Sequence, residues 1–300
     1  MWQRYKYHAL MHLIIFLWGF TGILGKLIHK DALHIVWYRV LIAFVALGLF
    51  LLYRGKDLRL SKKLVPKVLG VGLIVATHWM TFYYSIQLST ASLAILCLST
   101  TTLHVSWLEP LVMKKKFSIR QLLMGLVVIS GISFVSLDFS GQELLALFFG
   151  LFSALCAAFF SVFNAKLSEE TSAEQLTFYE MIAAFTLVSI ILLSLGKLHV
   201  SDLVVSFSDL CWLLFLGIIC TSFAFLATII IVRKLGAFTV SLNINLEPIY
   251  TILLAIVLLN EHKSLSTNFY LGAAIIVLVL LSNGLIKHFE LRKTSSEIGY

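Results

Sequence analysis

Trp37-Tyr38-Arg39-Val40-Leu41-Ile42-Ala43-Phe44 has a counterpart 141 residues further along the chain, Phe178-Tyr179-Glu180-Met181-Ile182-Ala183-Ala184-Phe185. Aromatic residues open and close both stretches, apolar residues fill them, and at the third position a basic side chain is answered by an acidic one. A second shift, of 147 residues, sets Gly70 on Gly217, Thr81 on Thr228, Leu88 on Leu235 and Gly125 on Gly272. Identity along it is near chance for so apolar a chain, so the match rests on glycines and on the edges of apolar runs. Together the shifts predict a duplication, with one unit over residues 1–141, a second over 142–288 and a polar tail over 289–300.

The units lie in a membrane. Of 300 residues 60% are hydrophobic and 13% charged, and mean hydropathy is +0.97, whereas soluble domains hold about 45–50% apolar and about 25% charged residues. Windows of about 20 apolar residues give ten spans: His8–Ile28, Ile35–Leu52, Val68–Gln87, Ala91–Val112, Ile119–Leu137, Leu144–Asn164, Gln175–Leu195, Leu210–Val232, Phe238–Leu259 and Thr267–Leu285. The connections leave no room for an extramembrane domain. The first span follows Arg4 and Lys6 but is too long for a signal-peptide core and lacks a cleavage site, so it is expected to stay as a helix. With the N-terminus inside, 18 Lys and Arg fall on inner segments and four on outer ones (Lys26, Lys30, Lys197 and Lys263), which places both termini in the cytoplasm. The net charge of +8 is therefore a topology signal and gives no reason to invoke nucleic acid.

Five spans per unit is an odd number, so the second unit enters the membrane from the opposite side. The expected fold is an all-α integral membrane protein of ten transmembrane helices in two inverted five-helix repeats. Inverted repeats are the architecture of alternating-access transporters, which bind substrate near the midplane between the halves.

Polar side chains at mid-span are costly in lipid and normally face a cavity or the bundle interior. The ninth span carries Ser241-Leu-Asn-Ile-Asn-Leu-Glu-Pro-Ile-Tyr250. On one continuous helix Thr239, Asn243, Glu247 and Tyr250 share a face, and Pro248 would kink that helix and free the carbonyl of Ile244. The face reads either as a site for an ammonium group or proton, or as a clamp of hydrogen bonds between helices; Asn245 points away from it. The equivalent of Glu247 is Thr100, in Ser99-Thr-Thr-Thr102, whose hydroxyls can also bond their own helix. In the third span His78 either packs as a neutral imidazole or lines a cavity and relays protons. Trp79 and Trp18 lie at midplane depth, as cavity walls or as packing. Arg39 and Glu180 are expected in separate vestibules near opposite surfaces, Arg39 offering paired donors to a carboxylate or snorkelling to the interface. Tyr38 and Tyr179 beside them join the expected substrate site. Glu109 reads as an interfacial partner of Lys114 to Lys116, and Gly19, Gly22 and Gly25 as a packing stripe.

These residues carry a resemblance. Trp18-Gly19, Tyr38-Arg39-Val-Leu-Ile-Ala43, Tyr84-Ser-Ile-Gln-Leu-Ser-Thr-Ala-Ser92, Leu235-Gly-Ala, Leu246-Glu-Pro-Ile, Asn260-Glu261 and Gly272, in this order and spacing, resemble the EamA type of the drug/metabolite transporter superfamily. The chain departs from the pattern in its first unit, where Thr101 stands at the place of Pro248 and Lys114 at that of Glu261. The resemblance implies two five-helix repeats around a central cavity and export of small metabolites, often amino acids.

Other functions find less support. Cys97, Cys156, Cys211 and Cys220 fall inside spans with no metal-ligand spacing, and no phosphate loop or nucleophile motif appears. No metal, no cofactor, no ATP hydrolysis and no enzymatic activity are expected. The expected partners are a small-molecule metabolite and membrane lipid, the expected location is the bacterial cytoplasmic (inner) membrane, and the expected state is a monomer. Transport would be driven by the substrate's own gradient or by protons carried on Glu247 or His78. Flipping of lipid-linked substrates, nucleotide-sugar exchange and, more remotely, a membrane-embedded enzyme are the alternatives.

Overall fold

The computed structural model describes residues 2–114, 116–235, 243–244 and 246–297, and all regular structure among them is helical. The first unit comprises α1 (Trp2–Leu27), α2 (Ala32–Tyr53), α3 (Val65–Leu88), α4 (Ala91–Leu98), α5 (Thr101–Met113) and α6 (Ile119–Val135). The second comprises α7 (Gln142–Leu167), α8 (Ala173–Ser194), a single turn α9 (Val200–Leu203), α10 (Phe207–Leu214) running through a π-helical stretch (Phe215–Phe223) into α11 (Ala224–Leu235), then α12 (Glu247–Leu259) and α13 (Thr267–Glu297).

Seven helices among the described residues are long and apolar enough to cross a membrane. Three of the ten expected spans are shorter apolar helices, Ile119–Val135, Glu247–Leu259 and Thr267–Ser282. The 13 residues of α12 reach only about 20 Å at 1.5 Å per residue, because the chain turns at Leu246. The tenth span, expected to end at Leu285, continues as helix into the polar tail.

Polar residues punctuate the apolar runs. Asp31, Thr90, Ser118, Ser172 and Ser206 each cap the helix that follows by accepting a backbone N–H, which satisfies a donor that has no partner inside the helix. At the other ends α5 and α12 stop on left-handed residues, Lys114 (φ 53°) and Asn260 (φ 55°). Asparagine tolerates that conformation better than lysine does.

Helix packing repeats across the two units. α3 lies against α7 and α8, and the segment equivalent to α3, α10 through α11, lies against α1 and α2. α4 and α5 meet α7 as α12 meets α1, while α2 packs on α8 and α6 on α13. Two glycines allow close approaches at equivalent crossings between the units. A Cβ at Gly72 on α3 would stand 2.7 Å from the Glu180 carbonyl oxygen and 2.7 Å from the Ala183 Cβ, and one at Gly217 would stand 2.6 Å from Ile42 Cγ2 and 3.3 Å from the Arg39 carbonyl. Arg39 and Ile42 become Glu180 and Ala183 under the same shift of 141, so each unit presents the same helix face to a glycine of the other. Gly19 and Gly22 lie against Thr251 of α12, and Gly25 against Tyr83 and Ile86 of α3, in the packing role expected of them.

Candidate functional site

The middle of the bundle holds a cavity of about 520 Å³, bordered by Trp18 of α1, Arg39 of α2, His78 and Trp79 of α3, and Glu247 and Pro248 of α12. From there it runs past Ser99, Thr102 and Ser106 to Glu109 of α5, Gln121 of α6, and Ser161 and Asn164 of α7, with Glu180 of α8 also on its wall. Glu109 and Gln121 flank the Lys114–Arg120 connection, so the cavity reaches toward the end of the bundle rich in basic residues. Toward the opposite end hydrogen bonds join the halves. Glu261 accepts from the N–H groups of Ala91 (2.8 Å) and Ser92 (3.0 Å), the N–H of His29 donates to Asp209 (3.0 Å), and Lys30 donates to the Asp202 carbonyl (2.7 Å).

Arg39 is 4% exposed and well anchored. Its Nε donates to Thr221 Oγ1 at 3.1 Å, Nη1 donates to Tyr83 Oη at 3.4 Å, and the guanidinium carbon lies 4.0 Å from the centre of the Trp79 ring. Such a cation over an indole face contributes about 0.5–2 kcal/mol. Thr221 belongs to the π-helical stretch, where its hydroxyl donates to the Leu216 carbonyl five residues back (2.8 Å) while accepting from Arg39. Wide turns of this kind recur at functional sites. Hydrophobic periodicity gives no sign of them, so sequence reasoning missed this one.

Two expected spans are broken at equivalent places. In the fourth, α4 ends at Leu98 and α5 begins at Thr101; the Thr100 hydroxyl donates to the Cys97 carbonyl (2.7 Å), which also accepts the Thr100 N–H (3.0 Å), and Thr102 donates to that of Ser99 (2.7 Å). In the ninth, Leu246 N–H reaches the Asn243 carbonyl (2.9 Å) and α12 starts at Glu247. Pro248, expected to kink a continuous helix, instead sits in the first turn of a new one, where the missing N–H costs nothing. The continuous polar face is corrected accordingly. Glu247 borders the cavity and senses the field of Arg39, whereas Asn243 and Tyr250 lie off its wall, and Thr239 and Asn245 lie outside the described residues. Tyr250 bonds His12 Nδ1 through its hydroxyl (3.0 Å).

Trp18, Arg39, His78, Trp79 and Glu247 of the expected site are thus brought together. Thr100 turns its hydroxyl to its own helix. Tyr38 donates to the Leu203 carbonyl and Tyr179 packs beside Phe178, both away from the cavity. His78 is on the wall, yet its Nδ1 is held 2.8 Å from Ser153 Oγ and 3.0 Å from the Ser153 carbonyl, and its ring lies between Phe82 and Phe160. The separate vestibules expected for Arg39 and Glu180 are replaced by one cavity that both border. Glu109, read as interfacial, borders it too. Glu180 was legible as an ionisable residue inside a span, the general signal for a functional position, and as the counterpart of Arg39.

A family model described as "EamA-like transporter family" matches residues 6–137 and again 144–283. A search of curated proteins returns no match. Among solved structures, one described only as "Crystal structure of protein" is similar at a TM-score of 0.64 and 16% identity, covering 92% of this chain and 96% of its own. That likeness is one of fold.

Proposed function

The chain belongs to the EamA-like transporter family, a multi-pass membrane protein of a family that moves small substrates, and on that premise we propose that it exports small amphoteric metabolites such as amino acids. One observation carries the reading: each half contributes an ionisable side chain of opposite kind, the base Arg39 and the acid Glu247, to the wall of a single cavity. The Arg39 fork suits a carboxylate, the Glu247 carboxylate suits an ammonium group, and Trp18 and Trp79 supply apolar walls for what lies between. The volume falls within the ~300–1,000 Å³ of small-molecule sites. Helix breaks beside the site, at Ser99–Thr100 and at Leu246, match the discontinuous helices of transporter binding sites.

We read the ten helices as two inverted repeats, residues 1–141 and 142–288, with both termini in the cytoplasm of a bacterial cell and the protein working as a monomer in the cytoplasmic membrane. In that orientation the cavity faces inward, and Glu261, Asp209 and Asp202 seal the outer side. Rocking of one half on the other would open those contacts and release substrate outside. Arg39 is the Lys or Arg of the cavity wall among the described residues, a thin lining for the several phosphates of a nucleotide sugar.

The test is mass spectrometry of medium and cell pools from bacteria overexpressing the protein, beside Arg39→Gln and Glu247→Gln at equal membrane abundance. Amino-acid-like metabolites are expected to leave the wild-type cells and to be retained by both variants. Equal efflux from all three strains would remove the two charges from the substrate site.

A further inference from the structure

Glu180 presents an imbalance that substrate binding by Arg39 and Glu247 does not use. The residue is 2% exposed, and it sits where α8 crosses Gly72 of α3, at a contact between the halves. Asn164 supplies one side-chain hydrogen bond. Oε1 has no partner, and on the same neighbouring side chain neither has Asn164 Oδ1. Among the described residues no cation pairs with Glu180. The ionisable groups on the cavity wall are Arg39 of α2, His78 of α3, Glu109 of α5 and Glu247 of α12. Arg39 is engaged with Thr221, Tyr83 and Trp79, and His78 with Ser153; Lys67, at the start of α3, is exposed.

A buried carboxylate with a single donor and no cation is strongly disfavoured, and an oxygen of that carboxylate left without any donor adds to the cost. One added proton neutralises the group and turns Oε1 from an unpartnered acceptor into a donor, beside an amide whose own oxygen is also unpartnered. The orphaned oxygens are closed to water, so a substrate group the size of an ammonium has no access to them in this conformation. We propose that Glu180 is a proton-binding site, loaded in the inward-facing conformation, which exchanges its proton with water as the α3–α8 crossing moves. Each loading forms one O–H bond with a proton from water, and each release breaks that bond and returns the proton to water when the crossing opens. This rests on the transport reading above, and it assigns the proton to Glu180 in place of Glu247 or His78.

If a proton on Glu180 favours the inward-facing conformation, pH must shift the conformational equilibrium even without substrate. Ser161 lies on the open cavity wall. In protein whose four cysteines are replaced by alanine, Ser161→Cys is labelled with a water-soluble maleimide across a pH series, each rate normalised to Ser168→Cys on the exposed end of α7. Labelling is expected to be fast at acid pH and to slow severalfold as pH rises. It should stay fast throughout with Glu180→Gln, and keep the parent's pH dependence with His78→Gln or Glu247→Gln. A flat parent profile, or an unchanged profile in Glu180→Gln, overturns the proposal. A second measurement spares the native cysteines: infrared spectra of lipid-reconstituted protein should contain a protonated-carboxyl band that Glu180→Gln removes, and identical spectra count against the proposal. Failure of the transport reading would appear separately, as absence of metabolite efflux from wild-type cells.

Discussion

Arg39 on α2 and Glu180 on α8 occupy equivalent positions in the two halves, each beside a glycine of the other half, and both border one cavity. The guanidinium is met by a hydroxyl, a phenol and an indole face, while the carboxyl is met by one amide and keeps an oxygen unpartnered. The difference follows from chemistry. A guanidinium stays charged in proteins, so its solvation has to be built into the fold; a carboxyl can take a proton instead of partners. One scaffold is thus present twice, and at this position it carries a fixed charge in one half and, on the proposal above, a group able to change state in the other.

The largest expected effect is at the fixed charge. Arg39→Gln should lower initial efflux at equal membrane abundance roughly 100-fold, or about 2.7 kcal/mol. Arg39→Lys should recover little of it, because a lysine keeps the charge and loses the planar fork and the stack on Trp79. Full activity in Arg39→Lys would reduce the residue to a point charge and weaken the contrast with Glu180.

The glycine crossings test whether the asymmetry extends to packing. At Gly72 a new Cβ meets backbone of α8, the Glu180 oxygen at 2.7 Å and its Cα at 2.8 Å; at Gly217 it meets the Ile42 side chain first and the Arg39 backbone only at 3.3 Å. Backbone within a packed helix yields less than a side chain, and overpacking typically costs about 1–3 kcal/mol. Gly72→Ala should therefore lower the thermal unfolding temperature in detergent more than Gly217→Ala. Equal losses would confine the difference between the halves to their polar partners.

How much of this was legible follows from which signals survive in an apolar sequence. The duplication, the membrane setting and the equivalence of Arg39 with Glu180 all appear as spacing and charge. The convergence of Arg39 and Glu180 on one cavity does not, because depth estimated along straight rods says nothing of a void that runs lengthwise between them. The breaks at Thr100 and Leu246 were hidden for another reason: hydroxyls bonding their own helix and a first-turn proline fit a continuous apolar run as well as an interrupted one. Trp18, His78, Trp79 and Glu247 could be found as polar or aromatic side chains at mid-span, and Arg39 as an ionisable residue of a span nearer one surface. Asn243 and Tyr250 were included by a helical periodicity that stops between them.

The smallest expected effect concerns the helix starts, where the comparison reappears in the caps. Asp31 caps α2 and accepts from the His34 N–H (3.0 Å), with His34 Nδ1 at 2.8 Å and Lys197 Nζ at 3.3 Å. By the shift of 141 its counterpart is Ser172, which caps α8 in a box with Gln175, the counterpart of His34. Partial burial alone would raise the Asp31 carboxyl, but its contacts with His34 and Lys197 outweigh it and hold the group below the ordinary aspartate range. A carboxyl lowered on folding contributes stability above its unfolded value and loses it as pH falls through the folded one. Asp31→Asn should therefore lower the unfolding temperature slightly at neutral pH, with the gap to wild type closing in acid below the usual aspartate range. Ser172→Ala removes a neutral cap worth about 0.5–2 kcal/mol, and its effect should not change over the same range. A gap for Asp31→Asn that persists in acid would show that the carboxylate's charge contributes nothing and that the two caps, unlike the two cavity residues they lead to, are equivalent.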